Sequence, residues 1–354
     1  MGGTPGARLL DVALVVAGGI AVSVAVALAG LPSPALFGGL IAGLVRALAG
    51  RTVARVPEAA GTAGQAVIGV SMGVLVDPET LRAVASNWLP VLLTTVGTLA
   101  LSLLAGAAFR LQRGISPVTG AFAMIAGGAS GIVVMARDLG ADERMVAVLQ
   151  YLRVLLIVLL MPVAATAVYG AEAGSGVLAD ADGPGWPAGL AFTVGCSAVG
   201  LVVGRLLHVP VAALLGPLVA GAVADLTGLS HGAEVPGLVE SAAFLVIGLQ
   251  VGVSFTRASL ATIGRALPLA LAVMGALVLA CAGLGAVLAG ITGASALDGY
   301  LATTPGGLYA VLATARDAGA DTTFVLAVQV LRLFVMLFSA PLVARWLRRP
   351  RPDA

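Results

Sequence analysis

Residues 120–162 read GAFAMIAGGASGIVVMARDLGADERMVAVLQYLRVLLIVLLMP, and residues 299–341 read GYLATTPGGLYAVLATARDAGADTTFVLAVQVLRLFVMLFSAP. The two stretches align without a gap at an offset of 179, and 15 of the 43 pairs are identical. Shared apolar composition gives a few chance matches, but here the polar and glycine positions match best. Arg137-Asp138 pairs with Arg316-Asp317, and Gly140-Ala141-Asp142 with Gly319-Ala320-Asp321. Gln150 and Arg153 pair with Gln329 and Arg332, and Gly127-Gly128 with Gly306-Gly307. The same offset joins Ile68-Gly69 and Gly73 to Ile247-Gly248 and Gly252, while Pro32 and Gly38 match Pro210 and Gly216 at 178. The chain is a duplication. A first repeat covers residues 1–170, a polar linker 171–186, a second repeat 187–346 and a basic tail 347–354.

Composition assigns the class. Of 354 residues, 59% are hydrophobic and 10% charged, with a mean hydropathy of +1.07. A soluble fold carries about a quarter charged residues, so a soluble enzyme, a disordered chain and a nucleic-acid-binding module are excluded. All 19 basic residues are arginine. Cys196 and Cys281 both lie in apolar runs, which argues against a disulfide framework or a Cys-rich metal site. His208 and His231, the only histidines, are too few and too far apart for a multi-histidine centre. There is no Walker motif, no nucleophile–base pairing and no soluble basic module. The expectation is a protein that is not an enzyme, has no cofactor, metal or nucleic-acid partner, and lives in a lipid bilayer.

A span needs about 20 apolar residues. The first half offers runs near 9–30, 34–50, 61–76, 88–109, 118–136 and 146–169; the second near 187–207, 212–228, 240–255, 267–290, 299–315 and 322–345. If all twelve cross, ten arginines face the cytoplasm and seven face out. If the fifth run of each half is instead a re-entrant hairpin, each half crosses five times and the second half is inverted. Fifteen arginines then lie inside and only Arg82 and Arg316 outside, which the positive-inside rule prefers. The expected fold is all-α and polytopic: two inverted repeats of about five transmembrane helices, each with a re-entrant or broken helix, both termini cytoplasmic, in the inner membrane.

The fifth runs carry their own signal. Gly127, Gly128 and Gly131 interrupt the first, and Pro305, Gly306 and Gly307 the second, where Thr303 or Thr304 can cap the half-helix that follows. A broken helix leaves backbone groups unpaired, tolerable only inside protein or beside water. Two breaks at equivalent positions point to a substrate site in a transporter.

Gln150 and Arg153 stand at i and i+3, on one helix face. Arg153 lies nine residues past Arg144, roughly 13 Å along the axis, and Arg332 is matched to it. A charge at that depth costs about 2.5–3.5 kcal/mol on insertion scales and needs compensation. One source is an anionic ligand held by both arginines and by half-helix N-termini. The structural alternative is permanent pairing with buried acids, carbonyls or glutamines. The candidate substrate-binding set is Gly127, Gly128, Ser130, Gln150, Arg153, Thr304, Pro305, Gly306, Gly307, Gln329 and Arg332. Asp138 and Asp317 are candidates for coupling to H+ or Na+. Asp142 and Asp321 stand where helix caps belong, and Asp11 reads as interfacial. Tyr300 and Tyr309 flank the second break. The Gly39–Gly43, Gly69–Gly73, Gly200–Gly204 and Gly248–Gly252 spacings read as close helix packing.

The stretches GGASGIVVMARDLGADERMVAVLQYLRV and TTPGGLYAVLATARDAGADTTFVLAVQVLR resemble the duplicated AbrB-type membrane protein family, over nearly the whole chain. That family carries labels such as regulator of gene expression and ammonia monooxygenase. Neither has mechanistic support in these residues, since an oxygenase needs metal ligands and a DNA-reading regulator a soluble basic module. At the level of fold alone, the arrangement also resembles secondary transporters with inverted five-helix repeats and re-entrant hairpins. The functional expectation is secondary, alternating-access transport of a small anionic solute. The alternative is a membrane-embedded regulator of gene expression acting indirectly, without transport. A homo-oligomer stays open.

Overall fold

The computed structural model describes residues 5–49, 56–112, 115–125, 136, 140–171, 185–255, 257, 261 and 264–347. Among them there are helices, turns and no strand. The first repeat supplies α1 (Pro5–Leu28), α2 (Pro34–Leu48), α3 (Glu58–Val74), α4 (Pro78–Ser86), α5 (Trp88–Ala108), α6 (Pro117–Met124) and α7 (Glu143–Ala167). The second supplies α8 (Trp186–Leu206), α9 (Ala212–Leu226), α10 (Gly237–Gly252), α11 (Leu267–Thr292), α12 (Ala296–Thr303), α13 (Leu308–Asp317) and α14 (Thr322–Leu347). The protein is an all-α polytopic membrane protein. Among the described residues, six helices are long and apolar enough to cross a bilayer: α1, α5, α7, α8, α11 and α14.

Four of the helices are shorter than the hydrocarbon core they were expected to cross. α2, α3, α9 and α10 have 15, 17, 15 and 16 residues, about 22–26 Å at 1.5 Å per residue, against a core of about 30 Å. Their boundaries follow from local chemistry. α2 starts after Ser33 at φ 60° with Pro34 in its first turn, and α9 after Val211 at φ 51°. Pro57 and Pro236 precede α3 and α10. α3 also runs into a break before α4, with an 85° bend between the two.

The chain forms two compact units, and each draws on both repeats. The first comprises Met1–Pro78, Met161–Thr256 and Leu312–Thr323. Its main packings exchange helices between repeats: α3 lies on α9 and α10 on α2, with α1 against α2 and α8 against α9. The pairing is matched residue by residue. A Cβ added at Gly69 or Gly73 would overlap the carbonyls of Leu214 or Leu218, and one at Gly248 or Gly252 those of Leu36 or Leu40. These two sets are related by the repeat offsets, so the unit has an internal pseudo-twofold relation. In lipid there is no hydrophobic drive to bring helices together, and close backbone approach through glycine supplies the packing. Gly39, Gly43, Gly200 and Gly204 also face neighbouring backbone, as their spacing suggested. Asp11 is not merely interfacial: it forms an ion pair with Arg46 between α1 and α2.

The second unit comprises Glu79–Leu160, Arg257–Val311 and Phe324–Ala354. Here α5 packs on α6, and α11 on α12. Gly106 meets Gly120 in the first pair and Gly285 meets Gly299 in the second, again at matched positions. One core cluster joins Phe122 and Ile125 to Met336 and Ala340, and another joins Val91, Leu288 and Ala302 to Phe324 and Val328. Both short helices start with a serine cap: Ser116 accepts from Thr119 N at 3.1 Å, and Ser295 from Asp298 N at 3.0 Å.

Candidate functional site

Both short helices stop at the same place. α6 ends at Met124 and Ile125 turns extended (φ −66°, ψ 123°); α12 ends at Thr303 and Thr304 turns extended (φ −58°, ψ 124°). At Thr304 the cause is Pro305, which disfavours helical backbone in the residue before it. The second break is therefore Thr304–Gly307, after which α13 begins. Gly127, Gly128, Ser130 and Asp138 lie outside the described residues.

Each helix end leaves carbonyls without intrahelical partners, and in both repeats a Gln-x-x-Arg pair reaches them. In the first, Gln150 Nε2 donates to the carbonyls of Phe122 (2.7 Å) and Ile125 (2.8 Å). Arg153 NH1 donates to Met124 O at 2.8 Å and NH2 to Gln150 Oε1 at 2.8 Å. In the second, Gln329 Nε2 donates to the carbonyls of Leu301 (2.7 Å) and Thr304 (3.2 Å). Arg332 NH1 donates to the same Thr304 carbonyl at 2.5 Å. All four side chains are buried, with 0–4% of their surface exposed. The two arginines thus meet helix C-termini, where the dipole is negative, and the carbonyl and glutamine partners weighed from the sequence are the ones they have.

The charge balance of the site follows. Arg153 and Arg332 are close enough to interact as like charges, and the Cys281 thiol lies within electrostatic reach of both. Among the described residues, neither arginine is ion-paired to a carboxylate, unlike Arg46, which pairs with Asp11, and Arg316, which pairs with Glu240. Two helix C-termini offset about half a charge each, so two guanidiniums leave about one positive charge uncompensated. Both arginine Nε atoms and Gln329 Oε1 are buried without a hydrogen-bond partner.

The second break lies beside these groups. A Cβ on Gly306 would sit 2.9 Å from Ile157 Cγ2, one turn past Arg153 on α7, and one on Gly307 3.6 Å from Val154 Cγ1, the residue after Arg153. Thr303 and Thr304 do not cap the following half-helix. Their hydroxyls turn back: Thr303 to the carbonyls of Cys281 (2.8 Å) and Gly299 (2.9 Å), and Thr304 to that of Tyr300 (2.6 Å). A threonine hydroxyl within reach of its own preceding turn satisfies itself locally. Tyr300 is buried and Tyr309 half-buried. The structure thus brings Gln150, Arg153, Thr304, Pro305, Gly306, Gly307, Gln329 and Arg332 into one unit.

Asp317 ends α13 in the other unit, where its Oδ2 accepts the Ser33 backbone N–H at 2.6 Å. Asp142 is a cap, accepting from the amides of Arg144 (3.0 Å) and Met145 (3.1 Å). Glu240 and Ser71 are further polar residues of the interior that no sequence motif marks. Glu240 carried a usable signal, as the lone carboxylate in the apolar run of α10. Among the described residues, no three His, Cys, Asp or Glu side chains cluster as metal ligands would.

The sequence model of the family described as "AbrB: Transition state regulatory protein AbrB" matches residues 35–348. The chain belongs to the AbrB family. It is 34% identical over 328 residues to the Escherichia coli (strain K12) protein named "Putative regulator AbrB", covering 91% of this chain and 92% of that relative. It is 24% identical over 296 residues to the Bacillus subtilis (strain 168) protein named "Uncharacterized protein YhjN", covering 78% and 76%. The duplicated Gln-x-x-Arg segments that cap α6 and α12 lie inside the span matched by the AbrB family.

Proposed function

We propose that this AbrB-family protein is a secondary transporter of a small anionic solute. It works by alternating access, driven by H+ or Na+, in the inner membrane with both termini cytoplasmic. It is not an enzyme and needs no cofactor. One observation carries the reading: two neighbouring buried arginines whose helix-end carbonyls offset only about half of their charge, each with an unused Nε–H. An anionic group of one charge would complete that balance, and a guanidinium holds a carboxylate through parallel hydrogen bonds. The matched helix breaks support the same conclusion, because interrupted helices in both repeats are where transporters bind solute.

The E. coli relative's printed name favours a second reading, a regulator that senses without transport. Anion binding separates it from a purely structural arginine pair, and flux separates sensing from transport. The test is thermal denaturation of the purified protein in detergent across monocarboxylates, dicarboxylates, sulfonates and phosphate. A ligand at 100 times its Kd stabilises by about 2.7 kcal/mol. We expect at least one anion to raise the midpoint saturably in the wild type and not in Arg153→Gln/Arg332→Gln. Equal responses in both proteins would defeat the reading.

A further inference from the structure

Away from the arginine pair, two acidic side chains are buried among the described residues, Glu240 and Asp298. Asp298 is consumed in the cap of α12, accepting the Ser295 amide at 2.9 Å. Glu240 is not at a cap. It stands in the first turn of apolar α10, 8% exposed, and its Oε1 accepts from the Ser71 hydroxyl on α3 and from Arg316 NH1 on α13. Arg316 NH1 also lies 2.6 Å from Ser71 Oγ, closing a three-membered cluster. The other charged group facing Glu240 is Asp317, the next residue on α13.

We infer that Glu240, Ser71 and Arg316 form a proton-binding site whose protonation releases the C-terminal end of α13. The inference rests on the transport reading for its purpose, since it names the coupling ion and its carrier. Its chemistry is independent of the solute. The carboxylate is held by one hydroxyl and one guanidinium; adding a proton removes its charge and most of its hold on Arg316. That arginine occupies the last turn of the helix that follows the Thr304–Gly307 break. Its side chain is 34% exposed while that of Glu240 is 11% exposed, so the proton enters from the arginine side.

Comparison of the repeats separates this role from a structural latch. The position matched to Glu240 is Gly61, and that matched to Ser71 is Gln250. These two also face each other, since a Cβ on Gly61 would lie 2.7 Å from Gln250 Oε1. The two positions are neighbours in both repeats, but of these paired positions only Glu240 carries a carboxylate. α3 and α10 come together at Gly61 and Gln250 without a carboxylate, whereas binding a proton needs one. A sodium ion fits less well, because it would have to displace the guanidinium and find several more oxygens than Ser71 supplies.

The test uses the full-length protein in liposomes and needs no solute. Infrared difference spectra are recorded as pH is lowered. A protonated carboxyl band should appear in the wild type, vanish in Glu240→Gln and move to higher pH in Arg316→Gln. Ser71→Ala keeps the carboxylate and should also move the band to higher pH, which covers the case where Glu240→Gln fails to fold. Motion of α13 is read by thiol labelling of Ala318→Cys in a chain with Cys196→Ala and Cys281→Ala. Labelling should rise several-fold on acidification and be fast at every pH when Glu240→Gln is added. A band unchanged in Glu240→Gln, labelling insensitive to pH, or labelling that responds to sodium instead would overturn the proposal. Each of these would leave the anion site of the arginine pair standing.

Discussion

Replacing Gln150 with leucine removes three hydrogen bonds from one place while keeping the side chain's bulk. Its amide donates to the carbonyls of Phe122 and Ile125 and accepts from Arg153 NH2, at 2.7–2.8 Å. The variant strands two carbonyls at a buried helix end and one N–H of a buried cation. Each stranded buried group costs about 1–3 kcal/mol, and partial relaxation keeps the sum to about 3–6 kcal/mol. The matched change, Gln329→Leu, is milder for a structural reason. Thr304 O keeps its bond from Arg332, only the Leu301 carbonyl is stranded, and Gln329 Oε1 has no partner to lose. Its expected cost is about 0–2 kcal/mol. Thermal denaturation of both variants in one detergent measures the difference. At roughly 2–4 °C per kcal/mol, Gln150→Leu should melt on the order of 5–10 °C below Gln329→Leu. Equal midpoints, or the reverse order, would refute the assignment of these glutamines as unequal caps.

Arg332→Lys keeps the charge but loses the fork, so it should weaken anion-dependent stabilisation tenfold or more while shifting ligand-free stability by no more than about 1 kcal/mol. Gly248→Ala drives a methyl into the backbone of α2 and should cost about 1–3 kcal/mol. Gly275→Ala in α11 meets nothing within 4 Å and should be neutral or stabilising by up to about 1 kcal/mol; thermal melts of the pair check both signs. Asp317→Asn replaces a charged acceptor with a neutral one at the Ser33 amide, for a loss of about 1–2 kcal/mol in the same assay. Ala171→Cys, at the start of the linker, should react with a membrane-impermeant thiol reagent from outside the cell, and reaction only from inside would contradict the inverted-repeat topology.

Much of this fold could be read from the residues because duplication makes chemistry visible twice. Gln150 and Arg153 recurring as Gln329 and Arg332 announced a shared buried task, and Gly69–Gly73 recurring as Gly248–Gly252 announced a shared packing. Pro305 marked the second break through its own covalent restriction. What the residues did not carry was the partner in each pairing. Nothing near Arg153 in sequence says that its guanidinium closes the C-terminus of α6, because that helix end is 29 positions upstream. α2 and α9 each end two residues before the runs that announced them, because small residues continue a run past the last helical turn. Glu240 escaped notice because its partners, Ser71 and Arg316, lie 169 and 76 positions away. Thr303 and Thr304 were misread because a threonine beside a break can turn either way, and the preceding turn was nearer.

The central claim is that the two buried arginines hold an anion that the protein moves across the bilayer. Flux into liposomes tests it most directly, using the anion that stabilises the detergent-solubilised protein and comparing wild type with Arg153→Gln/Arg332→Gln. Saturable uptake by the wild type, abolished in a double variant that still inserts and folds, is the result expected. Undiminished uptake by the double variant, or binding in detergent with no flux in liposomes, would contradict it.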